Sequence, residues 1–182
     1  MPNSVYWDAC LFIEVLQKTN TARLDACRDL IDKAEKKALV IVTSALTITE
    51  VNKFGAEDVS GVSREEQSKL ILAFFGNAYI KVRSLDRQTA ELAHHLTRQH
   101  GLKNMDAVHA ATAVIGKVDV LYTYDGEKGK RGGLLSCDRK IGTPPLRIER
   151  PPSPSHGPLF DPRQADAPST EPPEEANGST QS

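Results

Sequence analysis

Three cysteines in 182 residues, Cys10, Cys27 and Cys137, are too few and too widely spaced for a disulfide framework or for paired thiol ligands. They read as reduced thiols, two of them in the core, and so point to the cytoplasm. No stretch approaches the roughly eighteen apolar residues of a membrane span, and the first residues lack the basic region and apolar run of a secretory leader. A soluble chain without membrane association is therefore expected. Charge of one sign is also missing: 23 Lys and Arg stand against 24 Asp and Glu, a formal net charge of −1. That balance excludes broad electrostatic adhesion to nucleic acid, so such binding has to come from local patches or a bridging metal. No Ser/His/Asp or Cys/His arrangement of a nucleophilic enzyme is present either.

Large apolar residues are scarce from Arg150 to Ser182, where only Leu159 and Phe160 occur, while eight of the eleven prolines fall there. A segment with so little apolar surface cannot offset its ordering entropy. Residues 150–182 are thus expected to be a disordered, Pro-rich acidic tail behind a domain spanning 1–149. The tail carries Asp161, Asp166, Glu171, Glu174 and Glu175 against Arg150 and Arg163, which leaves the preceding domain mildly basic. A second biased stretch, Gly126 to Gly133, sets Lys128, Lys130 and Arg131 among four glycines. It reads as a mobile basic loop, either a contact for an RNA backbone or simply solvated.

What is present alternates between two periods. Ser4 to Trp7 is β-prone and ends on Asp8, with Leu11, Phe12, Val15 and Leu16 following at helical spacing. Thr21 is placed to cap a helix with its apolar stripe at Leu24, Cys27, Leu30, Ile31 and Ala34. Leu39 to Val42 is a continuous apolar run, as expected of a strand covered on both faces. Ser44 caps the next helix, Ser63 and Glu66 form a capping box before another, and Gly76 stops it. Tyr79 to Leu85 reads as a strand, Asp86 caps a helix ended by Gly101, Asn104 opens one closed by Gly116, and Val118 to Thr123 is a fourth strand. Leu146 to Ile148 is a candidate fifth strand at an edge. Such alternation predicts an α/β/α sandwich on a mainly parallel sheet of four to five strands.

In an open parallel sheet, ligands gather at the carboxyl ends of the strands. Four acids sit near such ends: Asp8 after the first strand, Glu50 one to two turns into the helix after the second, Asp106 in the first turn of the helix before the fourth, and Asp125 just past the fourth. Any one of them alone could be a helix cap or a surface charge, Asp106 especially. Together they match the demand of Mg²⁺ or Mn²⁺, hard cations that bind through a few carboxylates and keep waters and phosphate oxygens. His109, three residues beyond Asp106, reads as a packed, hydrogen-bonded side chain rather than a ligand. Tyr6 and Trp7 read as core. A phosphatase of the haloacid dehalogenase type, which also ends its first strand in Asp, requires a second Asp where this chain has Cys10.

At these residues the chain resembles the PIN-domain ribonucleases, and within them the VapC-like toxins of toxin–antitoxin pairs. The likeness rests on Val5-Tyr6-Trp7-Asp8, on Ser44 with Glu50-Val51, on Met105-Asp106-Ala107-Val108-His109-Ala110-Ala111-Thr112-Ala113, and on Thr123-Tyr124-Asp125. It implies a metal-dependent endoribonuclease, a hydrolase with Asp8, Glu50, Asp106 and Asp125 as catalytic metal-binding acids and Thr123 as a supporting polar residue. It also implies an RNA substrate, a small antitoxin partner and a homodimer. The alternative function is an inactive PIN-like module that uses the acidic cleft for docking. Where relatives often carry Ser or Thr after the first acid, this chain has Ala9 and Cys10. Where they follow the last acid with another acid and Phe, it runs Gly126-Glu127, so Glu127 and Asp138 stand as alternatives to Asp125.

Overall fold

The apolar first segment forms strand β1, Asn3–Trp7, in the computed structural model, which describes residues 3–52, 62–126 and 132–154. Alternate β1 side chains point to opposite faces, and both faces are buried: Val5 and Trp7 pack on one side, Tyr6 on the other. Four further strands join it, β2 (Leu39–Ser44), β3 (Ile80–Arg83), β4 (Val120–Tyr122) and β5 (Arg147–Glu149). All pairings are parallel, in the order β3-β2-β1-β4-β5, with Tyr6 opposite Val42 on β2 and Leu121 on β4. The expected edge strand near Leu146 to Ile148 is thus present one residue further on.

Helices cover both faces, as a parallel sheet requires. Helices α1 (Ala9–Gln17), α2 (Thr21–Glu35) and α4 (Arg64–Phe75) enclose one core, in which Trp7 meets Phe12 edge-on at 5.3 Å and Phe12 lies 4.9 Å from Phe75. Short α3, Ala45–Glu50, follows β2. Helices α5 (Arg87–His100) and α6 (Asn104–Ile115) enclose the other core. Ala107, Ala110, Ala111 and Ala113 of α6 are fully buried, and their small side chains bring its backbone close to the sheet. A 3₁₀ turn, Leu134–Cys137, precedes β5 and was not foreshadowed by any periodicity.

Most capping expectations hold: Ser44 accepts from Leu46 N–H, Ser63 and Glu66 form the reciprocal box, Asp86 accepts from Thr89 N–H, and Gly101 ends α5 in the left-handed region at φ 68°. One is corrected. The cap of α2 is Asn20, whose side chain accepts from Arg23 N–H, so Thr21 is the first helical residue. Extended backbone at Asn20 leaves its short amide facing the exposed N–H groups of the first turn. Among the described residues no helix is long and apolar enough to cross a membrane.

Candidate active site

Strands β1 and β4 are neighbours, yet β1 continues to β2 on one side while β4 leads to β5 on the other. The carboxyl ends of β1 and β4, where this reversal falls, are the usual ligand site of such sheets. Asp8 and Asp125 both follow those ends. Asp8 ends β1, caps α1 by accepting from Cys10 N–H at 3.1 Å, and is almost fully buried. Its Oδ1 also accepts from the Cys10 thiol at 2.7 Å, and its Oδ2 from the Thr123 hydroxyl. A hydroxyl beside the first acid is therefore supplied from β4's end rather than from the residues that follow Asp8.

The same Thr123 oxygen accepts from Asp125 N–H at 2.8 Å, so one buried hydroxyl fixes two acids. Asp125 is held again from the far side of the glycine-rich loop, where Leu134 N–H donates to its Oδ2 at 3.3 Å. Gly126 and Gly133 make that possible: a Cβ on Gly126 would lie 2.8 Å from the Gly133 Cα, so the two backbones touch and tolerate no side chain. Asp138, the alternative acid, accepts at Oδ1 from Ile148 N–H on β5. Glu127, Lys128, Lys130 and Arg131 lie outside the described residues, as does 155–182 of the expected tail.

Asp106 is in the first turn of α6 and is not its cap: the capping position is Lys103, without a side-chain hydrogen bond. Burial, with the charges of Asp125 and Asp8 adding to it and His109 and Lys103 opposing, pushes the Asp106 carboxyl up to about 6. Asp8 is raised too, by burial, against the opposing effects of His109 and of the Cys10 and Thr123 hydrogen bonds. Three of the four expected acids thus share one electrostatic environment. Glu50 joins them differently, through His109: Glu50 Oε2 lies 2.8 Å from Nε2 of that ring.

His109 is the residue that sequence reasoning undervalued. It is indeed packed, at 2% exposure, but its ring is clamped between Glu50 and the Tyr6 hydroxyl, which lies 2.8 Å from Nδ1. Its one visible signal was the three-residue spacing from Asp106, which puts both on adjoining parts of one helix face. The Cys10 thiol is pushed up strongly by burial and by Asp8, so it remains protonated and offers no nucleophile.

Asp106 Oδ2 is buried and, among the described residues, has no hydrogen-bond partner. An acid in that condition, beside two others, suits a hard cation that binds through one or two carboxylates and keeps its waters. Among the described residues no three His, Cys, Asp or Glu side chains converge as a preformed metal cage.

Comparison with solved structures finds a similar fold in VapC20 of Mycobacterium tuberculosis, a sarcin-ricin loop cleaving toxin, at 15% identity and TM-score 0.51, covering 68% of this chain and 91% of that one. VapBC2 from Rickettsia felis, bound to a DNA fragment from its promoter, aligns at 18% identity and TM-score 0.49 over 81% of this chain and 98% of that one. A toxin–antitoxin complex from Klebsiella pneumoniae aligns at 18% identity and TM-score 0.47, over 70% and 88%. No curated protein matches the chain significantly. The profile of the PIN domain family, however, matches residues 5–131. That stretch opens on β1 and closes beyond Asp125, so it takes in all four acids, and the chain belongs to the PIN domain family.

Proposed function

We propose that the chain is a Mg²⁺- or Mn²⁺-dependent endoribonuclease and the toxin of a toxin–antitoxin pair. The observation that supports this reading is the buried Asp106 oxygen left unpartnered among the described residues, on a carboxyl that feels the charges of Asp125 and Asp8. Asp8, Asp106 and Asp125 would hold the ion, with Glu50 reaching it by the oxygen that His109 leaves free. When bound, the ion supplies neutralisation of the acids, acidification of a water, and stabilisation of the leaving oxygen. Thr123 and Cys10 hold the Asp8 carboxylate in one orientation, and Leu134 N–H does the same for Asp125. Lys128, Lys130 and Arg131 would meet the RNA backbone. Residues 150–182 take no part in the chemistry. A small antitoxin and a second copy of the chain are the protein partners, in the cytoplasm, where free cysteines stay reduced.

The second reading, a PIN-like docking module without turnover, draws on the lack of a preformed metal cage among the described residues. One assay separates the two: structured RNA with Mn²⁺, with EDTA, and with the Asp8→Asn protein in Mn²⁺. Cleavage in the first arm, none in the second, and a loss above about 100-fold in the third are expected, a larger effect than loss of an outer hydrogen-bond partner causes. Cleavage that survives EDTA or Asp8→Asn would overturn the nuclease mechanism. Binding without cleavage in every arm would establish the docking module.

A further inference from the structure

Glu50 is the last residue of a short helix, α3, of six residues, and carries a long side chain. A carboxylate that must meet a site within a fraction of an ångström needs another restraint. The structure supplies a line of three buried or half-buried groups drawn from separate elements: Tyr6 on β1, His109 on α6 and Glu50 on α3. We infer that Tyr6 and His109 form a positioning pair, the hydroxyl fixing the ring so that the ring holds Glu50 at the site. This inference rests on the nuclease reading above.

The protons settle the direction of the line. A carboxylate only accepts, so the ring must carry its hydrogen on Nε2 to bond Glu50 Oε2. In a neutral ring Nδ1 is then an acceptor, and the Tyr6 hydroxyl donates to it. The other hydroxyls around the phenol are already donors elsewhere: Thr43 to Trp7 O and Thr112 to Val108 O. Thus β1 orients α6's imidazole, which orients α3's carboxylate, and among the described residues the second Glu50 oxygen is left without a hydrogen bond. Both ring nitrogens are engaged at 2.8 Å.

The test has two arms on the full chain. In metal-free, ¹⁵N-labelled protein, long-range ¹H–¹⁵N spectra should show His109 as the neutral Nε2–H tautomer in the wild type, with the Nδ1 resonance moved toward that of an unbonded acceptor nitrogen in Tyr6→Phe. In single-turnover cleavage with Mn²⁺, His109→Leu should lower the rate about 10–100-fold with little change in KM, the usual cost of losing a residue that orients a ligand. His109→Gln, which can still present an N–H to Glu50, should recover most of that loss, and Tyr6→Phe should cost about fivefold, one hydrogen bond's worth. An Nδ1–H tautomer in the wild type would overturn the inference. So would a Leu variant as active as the Gln variant, since Leu fills the space equally well and only packing would then matter. If the wild type cleaves no RNA, the nuclease reading fails, and the spectra alone still decide whether Tyr6 donates to the ring.

Discussion

Asp106→Asn is expected to abolish RNA cleavage, by more than about 100-fold, while making the metal-free protein more stable at neutral pH. The two effects share a cause. Folding places this carboxyl beside Asp125 and Asp8 in partial burial and lifts it from its ordinary 3.8 to about 6. Between those values the folded protein holds a proton that the unfolded chain has released. Stability contributed by this group is therefore greatest at low pH, falls as pH rises from about 4 to about 6, and stays low above that. The full displacement corresponds to about 3 kcal/mol, which partial exposure reduces to about 1 kcal/mol. The first-turn position in α6 returns a few tenths of that, because the helix dipole favours the anion. Asn has no charge to strain, so its melting temperature with EDTA should lack the Asp106 component of the decline between about pH 4 and 6. Mn²⁺ should stabilise the wild type and leave the variant nearly unmoved. If Asp106 were an ordinary exposed helix residue, the two melting curves would coincide at every pH, with and without metal.

Thr123→Val should damage both fold and activity, although it removes one oxygen and no charge. The hydroxyl is fully buried, donates to Asp8 Oδ2 and accepts from Asp125 N–H. Valine leaves an anionic oxygen and an amide unpaired, each at about 1–3 kcal/mol. A loss of about 3 kcal/mol is expected, which for a chain this size lowers Tm by roughly 6–12 °C. Cleavage should fall about 10–100-fold, since both acids lose their orientation. Thr123→Ser keeps the oxygen and should recover most of each loss. A Val variant with wild-type Tm and rate would mean that the hydroxyl is a bystander and that other groups orient Asp8.

These dependencies explain which parts of the molecule were legible in its sequence. β1, β2 and the Ala-rich face of α6 were legible because burial on both faces of a parallel sheet leaves continuous apolar or small-residue runs. Asp8 and Asp125 were legible as candidates because the fold's switch point lies where their strands end. The role of Thr123 had only a resemblance to point to it, and its hydrogen bond to Asp8 depends on β1 and β4 pairing across more than a hundred residues. His109 shows the limit more sharply. Its burial followed from the helix face, but its partners lie 103 and 59 residues away, on elements whose approach no local pattern encodes. The cap of α2 was displaced by one residue because Asn20 and Thr21 can both cap, and backbone geometry chose between them.

The central claim, that Asp8, Asp106 and Asp125 form one metal-binding site, is tested most directly by calorimetric titration of Mn²⁺ into the metal-free wild type and the three single Asn variants. A common site predicts that each substitution weakens binding at least about tenfold and that combining any two costs less than the sum of the separate losses, as expected for groups sharing one ligand. Wild-type affinity in the Asp106→Asn protein, or strictly additive losses across the three positions, would contradict it.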